Sequence, residues 1–352
     1  MDYTGIDFRP FRFPVNRPLT DEEKAARYQK KQSRNAPPMD FLSVIKCNST
    51  YMDLVDRWYP IKGFNVWFGS AVILASIFLS VVNVRAFFHV IGKEELWISW
   101  LVLIFFLLVG LGLGWAGWWV VRTEVGRWTH YPMRINRKTR QVHVFRQNGT
   151  VLMVPWDDLY LVRGESKNFF AGTTHDLRAH VLDKDGITVL ESFSLGYATL
   201  LGNALSVDKF WAFLQPYMEA PDGVERTIRH LQESGYLAPL DGRKEGWRWS
   251  ITQSFLWTVH WPWLQFLGSP FLGLNAVGRM FAMWTSKQPE WPEEVEQANK
   301  IDADDPYVLT WRDNRELGWW DFHWPLLCTV LGVSIAVTAI CWPVFLTVKR
   351  FF

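Results

Sequence analysis

The stretches FNVWFGSAVILASIFLSVVNV (residues 64–84), WISWLVLIFFLLVGLGLGWAGWWVV (97–121) and WPLLCTVLGVSIAVTAICWPVFLTV (324–348) contain no Asp, Glu, Lys or Arg. An α-helix rises about 1.5 Å per residue and the hydrocarbon layer of a bilayer is about 30 Å thick, so roughly 20 apolar residues cross it. Each stretch is long enough, and an integral membrane protein is expected. Tryptophan supports this: the chain holds 22, and Trp67, Trp97, Trp100, Trp115, Trp118, Trp119, Trp324 and Trp342 fall near the ends of the stretches, where an indole with an apolar body and a polar N–H is at home. The first sixty residues are polar and show no cleavable signal, so the first span is expected to act as the anchor. Of three cysteines, Cys328 and Cys341 lie in the last span and Cys47 stands alone before the first. That spacing offers neither a disulfide framework nor a metal pair.

Working outward, the turn from Arg85 to Leu96 carries only Arg85 and Lys93, whereas Arg122, Arg127, Arg134, Arg137, Lys138 and Arg140 crowd the exit of the second span. Basic residues stay on the cytoplasmic side. Residues 63–121 therefore read as a transmembrane helical hairpin, with a cytoplasmic N-terminal arm (1–62) and a cytoplasmic domain after it. In the arm, Thr20 with Glu23 spells a capping box for a short solvated helix within Leu19 to Ser33.

Between 122 and 220 the hydrophobic period drops to two. Met133 and Ile135, Val142 and Val144, and Val151 and Met153 mark strands; Asn148-Gly149 and Asp183 to Gly186 supply turns before and after further apolar runs. At least five antiparallel strands are expected, followed by a helix over Ser206 to Met218 with Phe210, Phe213, Leu214 and Tyr217 on one face and Ser206 as its cap. A strand meander closed by one amphipathic helix is the plan of a pleckstrin-homology (PH)-like small β-barrel, with a plain α+β sandwich as the alternative. A helical connector (221–248) follows, with a helix over Val224 to Glu233 stopped by Gly235.

Residues 249–284 admit two readings. Trp249 to Gly278 lacks formal charges but contains Pro262, Pro270, Gln253, His260, Gln265 and Asn275. It forms either interfacial amphipathic helices, with Leu274, Val277, Phe281 and Trp284 opposite Asn275 and Arg279, or a kinked third span. An acidic polar segment (285–322), a C-terminal transmembrane helix (323–348) and a short tail (349–352) complete an α+β membrane protein.

Candidate sites are few. Gly112 to Gly117 spells GxGxxG, but that fingerprint needs a strand before it and a helix starting at the glycines. Here Gly110, Gly114 and Gly117 lie late in a membrane helix, where small residues let a neighbouring helix or another copy of the chain approach closely. Arg134, Arg137, Lys138, Arg140 and Arg146 form a basic cluster near the bilayer, suited either to anionic lipid heads, at about 1 kcal/mol per charge, or simply to setting orientation. A net charge of +2 without an aromatic platform in the cluster argues against nucleic acid. His175 and His180 point to opposite faces of a strand, His260 is the one intramembrane histidine, and Asp157-Asp158 reads as a loop boundary. The spans hold no ionisable group at their cores, which argues against a pump or ion-coupled transporter. No catalytic residue, cofactor or metal is expected, and the protein is read as non-enzymatic.

The run Tyr51 to Trp58, Asn136 to Arg140 with Phe145-Arg146, Asn148-Gly149-Thr150, Val154 to Asp157, Trp291-Pro292 and Asp305-Pro306-Tyr307 resembles an uncharacterised family of bacterial membrane proteins over about residues 40–310. Its members are often encoded beside the spike and effector genes of type VI secretion systems. The resemblance implies an inner-membrane location and a role as an immunity protein that binds a cognate type VI effector. The alternative is a PH-like adaptor or accessory protein for effector loading, or a lipid-binding scaffold. It carries over no functional residues.

Overall fold

A computed structural model describes residues 13–90, 96–168, 172–199 and 203–351. In chain order the elements are β1 (Arg17–Pro18), α1 (Asp21–Ala25), β2 (Val44–Cys47), β3 (Tyr51–Leu54), α2 (Phe64–Val90), α3 (Leu96–Val121), β4 (Met133–Asn136), β5 (Gln141–Phe145), β6 (Val151–Pro155), β7 (Leu159–Asn168), β8 (Gly172–Leu182), β9 (Thr188–Thr199), α4 (Leu205–Glu219), α5 (Gly223–Ser234), α6 (Trp247–Phe255), α7 (Pro262–Leu267), α8 (Ser269–Thr285), α9 (Glu293–Ala298) and α10 (Trp324–Phe351). They divide into two units. The first takes its described residues from Met1–Pro60, Trp128–Glu245 and Lys287–Glu316; the second from Ile61–Arg127, Gly246–Ser286 and Leu317–Phe352.

The first unit is built on two antiparallel sheets, ordered β2-β3-β4-β5-β6 and β1-β9-β8-β7. Hairpins join consecutive strands where the sequence supplies turn residues: Gly149 and Gly186 take positive φ, 84° and 68°, which glycine adopts without a Cβ clash. β2 and β3 come from the arm expected to be polar. β3 reads Tyr-Met-Asp-Leu, and all four residues are buried, so Asp53 breaks the apolar pattern without breaking the strand. Trp156, Trp211, Phe193, Phe145 and Tyr217 are fully buried in the core. α4 contributes Phe210, Trp211, Phe213, Leu214 and Tyr217 to it. The helix starts one residue before Ser206, which is buried inside it, and Ala204 takes the cap position. Gly235 ends α5 in the left-handed conformation, φ 77°.

The arm differs from a solvated helix. The Thr20–Glu23 capping box forms, but α1 stops at Ala25. The chain then runs along β7: Tyr28 N–H donates to the Leu161 carbonyl at 2.8 Å and Arg163 N–H to the Ala26 carbonyl at 3.0 Å. An open strand edge outbids further helical turns, because its unpaired backbone groups need partners.

In the second unit, α2 and α3 pack antiparallel. Among the described residues, three segments are long and apolar enough to cross a membrane: Phe64–His89, Trp97–Val121 and Trp319–Pro343. The last begins earlier than Trp324, because a π-helical turn, Trp319–His323, precedes α10. Residues 249–284 are not one straight helix. They break into α6, a short turn, α7 and α8, with Pro262 and Pro270 each in the first turn of a new helix, where a proline costs no hydrogen bond.

α8 is turned inside out. Asn275 and Arg279 are buried, Arg279 completely, while Val277, Phe281 and Trp284 are exposed. Apolar side chains are also exposed along α3, where Leu108, Leu111 and Trp115 are each more than 60% exposed. A helix that buries its polar stripe and presents its apolar one is matched to an apolar solvent.

Candidate functional site

The members of the basic cluster have separate partners, four of them in ion pairs and Arg137 on backbone carbonyls. Arg134 is buried at 3% exposure and grips Asp53 with two bonds of 2.8 Å. Its guanidinium lies 4.0 Å from the Tyr51 ring centre and 5.1 Å from that of Trp291, with Glu296 at 3.3 Å. Burial works against its charge and Asp53 more than restores it, so its pKa rises above the ordinary arginine value. Arg137 donates to the Tyr217 and Ala220 carbonyls at the end of α4. Lys138 pairs with Asp302 at 2.6 Å. Arg140 bridges Asp157 and Glu219, and Arg146 binds Glu191. Arg134 has no solvent-facing side for a phosphate, and the other four already have oxygen partners.

Across β3, β4 and β5, Asp53 stands opposite Arg134 and Arg134 opposite His143. Their alternation looks like a solvent face. It is covered instead by the segment after Lys287: Trp291 lies on Arg134, and the Asn299 side chain accepts from Asn136 at 2.7 Å. Burial, with Arg134 beside it, pushes His143 down to about 4.

The second sheet repeats this pattern. Thr174, Asp176, Arg178 and His180 alternate along β8 and all four are buried. Asp176 receives Arg178 at 2.9 Å and Arg57 at 3.4 Å. Phe13 lies 4.0 Å from the Arg178 guanidinium and 5.2 Å from that of Arg57. Burial opposes ionisation of Asp176, but the two arginines outweigh it and hold the carboxyl below its usual range. Close by in sequence, His180 Nδ1 meets the Ser192 hydroxyl at 2.6 Å and Nε2 lies 3.2 Å from Glu23, itself clamped by Arg17. Burial pushes His180 down to about 4, although Glu23 pulls the other way. Sequence reasoning missed this layer. The period-two run of polar residues was its only signal.

In the second unit the glycines of α3 face α2. A Cβ on Gly117 would stand 2.8 Å from the Gly69 carbonyl oxygen, one on Gly69 would stand 2.6 Å from that of Gly117, and one on Gly114 would stand 3.0 Å from the Ser76 hydroxyl. Gly110 adjoins Ser80. Gly112, between them in sequence, has nothing within 4 Å. The polar groups of the hairpin close on backbone carbonyls: Ser76 Oγ donates to Gly110 at 2.7 Å and Asn83 to Leu103 at 3.1 Å. Such bonds are how a helix in lipid satisfies a hydroxyl or an amide. At the base of the hairpin Glu124 accepts from the Gly63 N–H at 2.8 Å, among the first amides of α2, and Ser286 donates to its carbonyl. Burial pushes the Glu124 carboxyl above its usual range.

The remaining candidates are scattered. His260 is exposed in the turn before α7, and Asp157 and Asp158 lie in a short 3-10 turn leading into β7. The three cysteines are free thiols. Among the described residues no group of three or more His, Cys, Asp and Glu could hold a metal ion.

The fold and these contacts define a class: a double-sheet α+β module with internally paired charges, in one chain with three membrane-length helices. More particularly, DUF6708, a family of unknown function, matches residues 113–302, more than half of the chain, and the protein belongs to that family. No curated protein and no solved structure matches it.

Proposed function

We propose that the protein is a multi-pass inner-membrane protein that works by binding, and that it is the immunity partner of a type VI effector. The observation that carries the membrane part is the inversion of α8, in which a fully buried Arg279 backs an apolar face of Val277, Phe281 and Trp284. Water would penalise that face and lipid would not. α6 to α8 then sit in or at the membrane beside the three spans. The basic exit of α3 supports a cytoplasmic α+β module. The strand order β3 to β6, then β7 to β9, then α4 supports a PH-like reading of that module, with α4 as the closing helix.

The effector context comes from the resemblance in Tyr51 to Trp58 and the motifs after the hairpin, and rests on analogy. Binding without chemistry suits a module whose charged side chains are spent on one another. The test is co-expression with the neighbouring effector in a sensitive cell. Survival that depends on this protein supports immunity. An effector that kills regardless, but is no longer secreted when the gene is deleted, replaces it with the accessory role.

A further inference from the structure

β7 is the last strand of its sheet, α4 packs on β8 and β9 behind it, and residues 26–32 bond both to β7 and to α4. We propose that the channel between them is a groove for an extended peptide, and that the chain's own residues 26–34 fill it in cis as a displaceable plug. The proposal does not depend on the partner being an effector.

The plug binds as an added strand and then as a strap. Arg27 bridges Val162 in antiparallel register, and backbone bonds join Tyr28 to Leu161 and Arg163 to Ala26. Past Tyr28 the backbone leaves the edge for the helix. Trp211 Nε1 donates to the Gln32 carbonyl at 3.2 Å, and Gln215 Nε2 to the Lys30 carbonyl at 3.0 Å. Main-chain bonds to a strand edge, with pockets for particular side chains, are how extended peptides are recognised.

One side chain anchors it. Tyr28 is 3% exposed, its ring centre 5.4 Å from that of Trp211, and its hydroxyl donates to Asp208 at 2.7 Å. From Thr20 to Met39 it is the only buried residue. A single buried aromatic surrounded by exposed contacts is the anatomy of a binding hot spot. The basic residues around it meet main-chain, acidic and aromatic groups of the groove: Lys30 donates to the Asp157 main-chain carbonyl at 2.6 Å, Arg34 lies 3.8 Å from Asp208, and the Arg27 guanidinium sits 4.5 Å from the Tyr160 ring centre.

The occupant describes the ligand. The groove takes an extended protein segment with a tyrosine between basic residues, and a partner carrying one must compete with a copy tethered at high effective concentration. Tyr28 is the plug's one buried residue, and the pairings of β7 with β8 and of β8 with β9 do not run through the plug.

The experiment uses the full chain in detergent micelles and a fluorescein-labelled peptide copying residues 25–36. Tyr28→Ala in the chain should empty the groove and raise the affinity for this peptide at least tenfold over the unsubstituted chain, where the plug excludes it. A peptide with alanine in place of its tyrosine should lose at least tenfold on the same variant chain. If the variant keeps its circular dichroism spectrum and binds the intact peptide no better than the parent, the proposal fails. Should Tyr28→Ala impair folding, Arg27→Glu with Lys30→Glu, both outside the core, should speed tryptic cleavage after Lys31 at least fivefold; an unchanged rate also overturns the plug. A parent chain found as an arm-exchanged dimer would overturn the cis arrangement.

Discussion

At single residues, the module keeps its charges by pairing them out of sight. Arg134 and Asp53 form a buried bidentate pair in the middle of a sheet. Removing one partner leaves the other charged and desolvated, at a cost of about 3–5 kcal/mol. Arg134→Ala is therefore expected to lower the thermal unfolding midpoint of the full chain in micelles steeply. Arg134→Leu with Asp53→Leu should recover part of the loss, since an apolar pair carries no stranded charge. No recovery in the double variant would mean that the pair does more than neutralise itself. The buried histidines make an independent prediction. His143 and His180 are held near 4 in the fold, against about 6.5 in an unfolded chain. Below about 6.5 the unfolded state takes up protons that the fold refuses, so stability is full at neutral pH and falls as pH drops from about 6.5 toward 4. The unfolding midpoint should decline between pH 7 and pH 5, and His143→Gln with His180→Gln should flatten that slope. A midpoint independent of pH over this range would refute the assignment.

Among the elements, the packing of α2 on α3 rests on the absence of side chains. Gly69 and Gly117 face each other's carbonyls, so Gly117→Leu must push the helices apart, whereas Gly112→Leu points into open space. The first is expected to reduce the yield and melting temperature of the micelle-solubilised protein, by roughly the 1–3 kcal/mol of an overpacked core site or more. The second should leave both near the parent values. Equal effects at the two positions would deny that this face is the contact. α8 calls for the opposite kind of substitution. Phe281→Lys puts a charge on its apolar outer face, and if that face meets lipid the cost is about 2.5–3.5 kcal/mol near the helix centre. Reduced recovery in the carbonate-washed membrane fraction is the expected reading.

For the whole molecule, the two units use one chain three times over. The α+β module is assembled from described residues on both sides of α2–α3 and on both sides of α6–α8, so the proposed membrane placement requires its three pieces to lie on one side of the bilayer. A reporter inserted near residue 160 and one near residue 303 are expected to report the same compartment, the cytoplasm. Opposite locations would break the module as described, and a shared periplasmic location would reverse the proposed orientation. This requirement bears directly on residues 249–284. A helix pair that enters and returns keeps the acidic segment on the module's side, as the pairing of Leu309 with Cys47 and of Lys138 with Asp302 demands. A single kinked span would not.

Much of this was readable before any fold was known. Spans, turn glycines, the Thr20 capping box and the aromatic face of α4 are set by neighbours within a few residues: an uninterrupted apolar run, a positive φ, or a periodic stripe acts locally, and its meaning does not wait on distant contacts. The strands β2, β3 and β7, the early end of α1 and the inward turn of Asp53, Arg134, Asp176 and His180 depended on parts of the chain far away. A polar residue every second position means exposure only while nothing covers that face. Here Trp291 and Asn299 cover one sheet and Phe13 and Glu23 lie over the other. Burial of a charge is decided by whether a partner arrives to compensate it, and partners as far apart as Asp53 and Arg134, 81 residues, leave no period in the sequence.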